Sequence, residues 1–441
     1  MRKDSILLRI AISTVIILLL IIPLTMIQSL IKERQDNRNT VVKEINESWA
    51  DSQIVAGPVL SIINNQWTKT QQGKSILKKN KYVLLPEILK IESKVIPEKR
   101  YRGIYEVIIY KTEIKMTGMF DFNNLQKIKY EDMLKNAGEE YLSFSLTDLK
   151  GIENTIYLKW NGAKKEVNPG LKDREIFSSG FYSDVSVDGS DKKYNFELIL
   201  NLRGSENLQF IPLGKITEAN IISDWNNPSF IGEFLPSSRS LTPNSFNATW
   251  KINQFNRNYP QEWNNENYKL YPSAFGVKLL IPVDEYQKTM RTSKYGILII
   301  LLTFVSFFMV EIFNKKALHP IQYLLIGLSL VIFYSLLLSL SEYMLFQYSY
   351  LISGILVIGL ISFYTKNIYS KNKLGLLIGG MLILFYGFMY IILQLQDYSL
   401  LLGNIALFII LTGIMFVTRK INWYEVLNSR RNAEENRNIL F

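Results

Sequence analysis

An uncharged run from Ile10 to Ile31 constrains this chain more than any other feature. A helix needs about 20 apolar residues to cross a bilayer, and this run supplies them. Four later runs do the same: Tyr323–Ser341, Tyr343–Thr365, Leu374–Gln396 and Tyr398–Thr418. A fifth, Tyr295–Phe313, is interrupted by Glu311 near its end. A soluble core helix of this length would carry a polar face at helical spacing, and these runs carry none. The expected fold class is a membrane protein with six transmembrane α-helices, one at the N-terminus and five clustered at the C-terminus. A cleaved signal peptide is the alternative for the first run, because Arg2 and Lys3 precede it. Its length, and the lack of an A-x-A-like site before Ile31-Lys32-Glu33-Arg34, favour an uncleaved anchor.

Lys and Arg in the short loops set the orientation of such a chain. They fall at Arg2, Lys3 and Arg9, at Lys315 and Lys316, at Lys366, Lys371 and Lys373, and at Arg419, Lys420, Arg430, Arg431 and Arg437. The other two turns hold only Glu342 and Asp397. The pattern predicts both termini in the cytoplasm. Residues 1–31 form the cytoplasmic N-terminus and anchor helix, 32–294 one large external domain, 295–418 a five-helix bundle, and 419–441 a basic tail. Tyr295, Tyr343, Tyr348, Tyr364, Tyr398, Trp423 and Tyr424 stand at span ends, where aromatic rings suit the headgroup level. Most of the formal charge of +11 is thus topology signal, and no nucleic acid is needed to explain it.

The external domain reads as β-rich. The polar segment Lys32 to Gln53 places Val41, Val42, Ile45 and Trp49 near helical spacing, and continues the anchor as a stalk that ends before Gly57-Pro58. Beyond it, period-2 alternation dominates. Ile114, Met116, Phe120 and Phe122 alternate with polar residues; so do Tyr194, Phe196, Leu198, Leu200 and Leu202, and Phe246, Ala248, Trp250 and Ile252. Asn161-Gly162, Pro169-Gly170, Asp188-Gly189 and Asn227-Pro228 punctuate these runs as turns. The expectation is a mainly antiparallel, sandwich-like domain with the stalk helix and room for one more helix.

The chemistry is bounded by what the chain lacks. With no cysteine, disulfides, thiol nucleophiles and Cys-ligated metals are absent; with His319 alone, a two-histidine metal site cannot form. No metal or cofactor is expected. His319 lies on the cytoplasmic side, away from any external Ser-His-Asp triad. It reads either as a pH-sensitive or anionic-lipid contact or, preferably, as the cap before Pro320. Ser75-Ile76-Leu77-Lys78 fits the S-x-x-K pattern, but the companion S-D-N and K-T-G elements are missing. Glu342 and Asp397 each stand at the outer end of two spans, with Ser339 and Ser341 close to Glu342. They read as acidic turn residues, or as a pair that docks the external domain, binds a lipid amine or holds a cation. Glu311 is placed to pair with Lys315 one turn on. The span centres are uncharged, which weighs against an ion-coupled transporter. Gly379-Gly380 reads as a close-packing site rather than a helix break.

Several stretches together resemble the bacterial CreD family of inner-membrane, cell-envelope integrity proteins. Near the N-terminus they are Leu30-Ile31-Lys32-Glu33-Arg34, Ser48-Trp49-Ala50 and Ala56-Gly57-Pro58-Val59-Leu60. The external domain adds Arg102-Gly103-Ile104-Tyr105, Trp225-Asn226-Asn227-Pro228-Ser229-Phe230-Ile231-Gly232 and Tyr259-Pro260-Gln261. The membrane part adds His319-Pro320-Ile321-Gln322-Tyr323, Phe333-Tyr334, Leu338-Ser339-Leu340-Ser341-Glu342, Gln396-Asp397-Tyr398 and Thr418-Arg419-Lys420-Ile421-Asn422-Trp423-Tyr424. Two positions depart from the family pattern, which has Glu-Asp-Tyr at 396–398 and Asp-Trp-Tyr at 422–424. The resemblance implies a multi-pass bacterial inner-membrane protein whose residues 32–294 are periplasmic, with a role in envelope integrity and envelope-stress responses. It implies no catalytic residue.

The leading expectation is a non-enzymatic protein whose periplasmic domain is docked on the bundle and binds membrane lipids, envelope components or protein partners. A transporter or lipid-handling protein at the outer leaflet is the alternative. A carboxylate-dependent envelope enzyme is the third reading, and it requires two acids converging in an external cleft.

Overall fold

The computed structural model describes residues 6–69, 75–125, 133, 137–187, 192–280, 285–314, 316–394 and 399–419. The chain divides into two compact units: residues 1–38 with 283–441, and residues 39–282. The first helix, α1 (Ile6–Trp49), is continuous from the apolar run into the stalk, and its last turns belong to the second unit.

The 39–282 unit is built on two sheets. The first orders Pro228–Gly232, Phe275–Leu279, Asn207–Phe210, Gln53–Lys69, Ala137–Leu146, Gly180–Asp184 and Asn168–Pro169, with Ser75–Leu84 also pairing with Gln53–Lys69 and Glu262–Asn264 beyond it. The second orders Ser238–Leu241, Phe246–Asn253, Ile216–Ser223, Ile88–Arg102, Tyr105–Asp121, Lys193–Ser205, Tyr157–Trp160 and Ala163–Lys165. Pairing is antiparallel except where Gln53–Val55 runs beside Leu208–Phe210 and Ile88–Val95 beside Ile216–Ser223.

Alternation explains why these residues form these strands. The residues of the three predicted alternations lie in Tyr105–Asp121, directly after it at Phe122, in Lys193–Ser205 and in Phe246–Asn253, and every one of them is buried. The two inner faces share one hydrophobic core. Trp250 of the second sheet meets Phe275 and Phe230 of the first, at 5.5 and 5.8 Å between ring centroids. The domain is therefore a sandwich, in which each sheet hides one face against the other. Asn161-Gly162 forms the expected tight turn, with φ of 48° and 84°, the positive pair that a two-residue hairpin favours. Asp188-Gly189 lies outside the described residues.

In the other unit, α2 (Glu285–Lys294) is joined by a one-residue turn to α3 (Gly296–Asn314), followed by α4 (Pro320–Ser341), α5 (Phe346–Tyr369), α6 (Asn372–Gln394) and α7 (Ser399–Thr418). Among the described residues, α1 and α3 to α6 are each long and apolar enough to cross a membrane. The 20 residues of α7 carry no charge. Together these are the six spans read from the sequence. Small residues set the packing distances. A Cβ at Gly327 of α4 would lie 2.2 Å from Leu20 of α1 and 3.2 Å from Phe304 of α3, so glycine admits both helices there. Gly379 plays the same part against Ser362, and α6 runs through Gly379-Gly380 without a break. Among the described residues, 32–294 also contains α2, which belongs to the helical unit and packs on α3, α4, α5 and α6 there.

Candidate functional site

One end of the helical bundle gathers the polar contacts that the apolar runs conceal. Helix α5 begins after Leu345, which has no side chain able to cap it. Glu285 of α2 fills the gap: its Oε2 accepts the backbone N–H of Phe346 at 3.0 Å. A carboxylate there satisfies an orphan donor and meets the positive end of the helix dipole. Lys288, one turn along α2, stands 5.6 Å from the Phe346 ring. Thr289 and Thr292, on the same side of α2 as Glu285, are buried together with Ser293, and their hydroxyls bond back into their own helix. Gln28 of α1 donates to the carbonyl of Ser293 at 3.2 Å.

Glu342 belongs to this end. It follows the last turn of α4, its side chain is 12% exposed, and it pairs with Arg34 of α1 at 3.6 Å. Ser341 is buried and donates to Leu338, while Ser339 is exposed on the α4 surface. Asp397 lies outside the described residues. Below α2, the rings of Phe333, Tyr334, Phe346, Tyr350 and Tyr386 meet edge to face or tilted, at 4.6 to 5.6 Å for the pairs Phe333–Tyr386, Phe333–Tyr334, Phe333–Tyr350 and Phe346–Tyr350. The Tyr350 hydroxyl donates to the Tyr386 carbonyl at 2.7 Å.

Glu311 and His319 occupy the other end. Glu311 is buried, and its Oε1 accepts the backbone N–H of Leu318 in the α3–α4 connector. Its expected partner, Lys315, lies outside the described residues. His319 is the cap of α4. Its Nδ1 accepts from Ile321 N–H at 3.3 Å, and Gln322 returns a bond to His319 N–H at 2.9 Å. This is a capping box in front of Pro320. Lys316 donates to the carbonyl of Ile368 in the last turn of α5.

The sheet unit holds several charged clusters, and two of them bear on its chemistry. On the second sheet, Arg100, Lys111 and Arg203 surround the Trp49 ring at 5.8, 5.9 and 4.8 Å. Glu153 accepts from Arg203 at 2.7 Å and from Lys111 at 3.0 Å. Partial burial opposes its ionisation, but these two bonds hold its pKa below the usual carboxylate value. Elsewhere a cleft of 180 Å³ is lined by Glu87, Asp121 and Glu262 over an apolar floor that includes Leu84, Phe120 and Phe122. Glu87 pairs with Lys215 at 2.7 Å. Burial works against the Asp121 carboxylate as well, yet Asn123 and Lys193 hold its pKa down. Acids so engaged accept hydrogen bonds, whereas a general acid needs its pKa raised. Among the described residues, no His, Asp or Glu group is arranged to hold a metal ion. Sequence reasoning missed Arg34, Glu285 and the cations around Trp49, because each is fixed by a partner far away in the chain.

The sequence profile of the family described as inner membrane protein CreD matches residues 5–424. A curated relative, inner membrane protein CreD of Escherichia coli (strain K12), is 33% identical over 416 residues, covering 92% of this chain and 91% of its own. Among solved structures, native yeast LTA4 hydrolase aligns over 50% of this chain and 35% of its own at 5% identity and a TM-score of 0.19, a likeness that carries no argument.

Proposed function

Because this chain belongs to the CreD family of inner membrane proteins, we propose that it supports cell-envelope integrity and the response to envelope stress, without catalysing a reaction. The observation that carries this reading is a β-sandwich inserted in the chain between the first spanning helix and the other five. A membrane protein that spends residues 39–282 on such a domain presents it for binding. Several acids of the sandwich, among them Glu87, Glu153 and Glu197, are engaged with Lys or Arg, which suits a binding surface. In this reading both termini are cytoplasmic and residues 32–294 face the periplasm, as the Lys and Arg pattern favours. Glu342, braced by Arg34, and Asp397 dock the domain or contact lipid at the outer turns.

Two measurements test this. The chain has no native cysteine, so a single Leu235→Cys or Lys371→Cys can be labelled without background. An impermeant maleimide applied to spheroplasts labels Leu235→Cys and spares Lys371→Cys; the reverse pattern overturns the orientation. Cells lacking the protein are expected to release periplasmic contents in mild detergent more readily than cells carrying it. Equal release removes the envelope role.

A further inference from the structure

Helices α3, α6 and α7 enclose a lateral cavity of 460 Å³. Its walls, including Leu298, Leu302, Phe385, Met389 and Leu402, are almost wholly apolar. Apolar lining inside a spanning bundle suits a hydrocarbon chain, because no polar wall is present to hold water. Polarity is graded along it. At one end stands Tyr295, directly after Lys294, the last residue of α2. Arg291 lies three residues before Lys294, so the two cations share one side of that helix. Among the described residues, neither has a carboxylate partner. Next comes Asn404, in the second turn of α7, exposed and lining the cavity. Among the described residues its amide has no hydrogen-bond partner, a costly state for an amide in hydrocarbon. Beyond Asn404 the lining is hydrocarbon.

We infer that this cavity binds one anionic phospholipid, with an acyl chain between α3, α6 and α7, an ester carbonyl on the Asn404 amide, and the phosphate at Arg291 and Lys294. Two cations, one amide and then an apolar slot follow the order of phosphate, ester and chain in such a lipid. A zwitterionic lipid offers the same chain and esters with no net charge to match the cations. The inference stands without the envelope role, since it concerns the helical unit alone.

Gly403 provides the test. It lines the cavity, and a Cβ built there meets nothing within 4 Å. Gly403→Leu therefore adds apolar bulk to the slot from an uncrowded backbone position and improves helix propensity. The full-length protein is purified in detergent and titrated with phosphatidylglycerol or phosphatidylcholine, and bound lipid is counted by native mass spectrometry. The wild type is expected to favour phosphatidylglycerol by about tenfold or more, from two cations near one phosphate. Arg291→Gln with Lys294→Gln removes that preference and leaves phosphatidylcholine binding in place. Gly403→Leu weakens both lipids, while Leu376→Trp, on a side chain 77% exposed, changes neither. Equal wild-type binding of the two lipids overturns the phosphate assignment. Unchanged binding by Gly403→Leu, in a protein that elutes and melts as the wild type does, overturns the cavity.

Discussion

Glu153 accepts hydrogen bonds from the same Lys111 and Arg203 that stack on Trp49. Its folded pKa therefore lies below the unfolded value of about 4.3. Its contribution to stability is complete above that value and is lost as the pH falls through the folded one. Glu153→Gln is expected to cost about 1 kcal/mol at neutral pH, and to flatten the loss of melting temperature below about pH 4. Melting curves of the full-length protein in detergent across that range check both; parallel curves for the two proteins would refute the assignment. None of this pairing is legible in the sequence. Trp49 shows there as part of an apolar helical pattern, and Glu153 as one acid among many. The cations reach Trp49 because antiparallel pairing aligns Lys111 with Arg203, and register is a long-range outcome.

The elements themselves are far more legible. Uncharged runs place the spanning helices, because a buried backbone in lipid leaves little alternative to a helix. Period-2 runs place three strands of the second sheet, Tyr105–Asp121, Lys193–Ser205 and Phe246–Asn253, because one face of each is dry. Helix α2 is the exception: it has no long apolar run, and it is recognised only by its buried Thr and Ser and by Glu285 on the first turn of α5. Removing that cap is expected to cost about 1 kcal/mol at the start of α5. In Glu285→Ala, hydrogen exchange at residues 346–349 should accelerate by about fivefold, with the centre of α5 unchanged. Unaltered exchange at those amides would show that water or another donor arrangement serves the helix end equally well. Glu342 is a similar case: the sequence marks it as an acid at a turn, and its Arg34 partner lies over three hundred residues away in the chain.

At the scale of the whole molecule, six of the seven tryptophans, Trp49, Trp67, Trp160, Trp225, Trp250 and Trp263, lie in the 39–282 unit. Tryptophan fluorescence therefore reports the sandwich, while far-ultraviolet helical signal reports mostly the other unit. In guanidinium with detergent present, the fluorescence change is expected at lower denaturant, because helices in detergent keep their backbone bonds satisfied internally. Coincident transitions would mean that the two units unfold as one. The division also has a temporal side. The helical unit is discontinuous in the chain, with α1 made first and its partners only after residues 39–282. At ribosomal speeds of 5–20 residues per second that interval is roughly 10–50 s. For that time α1 rests in the bilayer alone, with Leu20 and Leu24, later buried in the bundle, turned toward lipid tails. The charge-free stretch from Ile10 to Ile31 is what makes this wait harmless: whichever face a newborn α1 shows, the membrane accepts it until the other helices arrive.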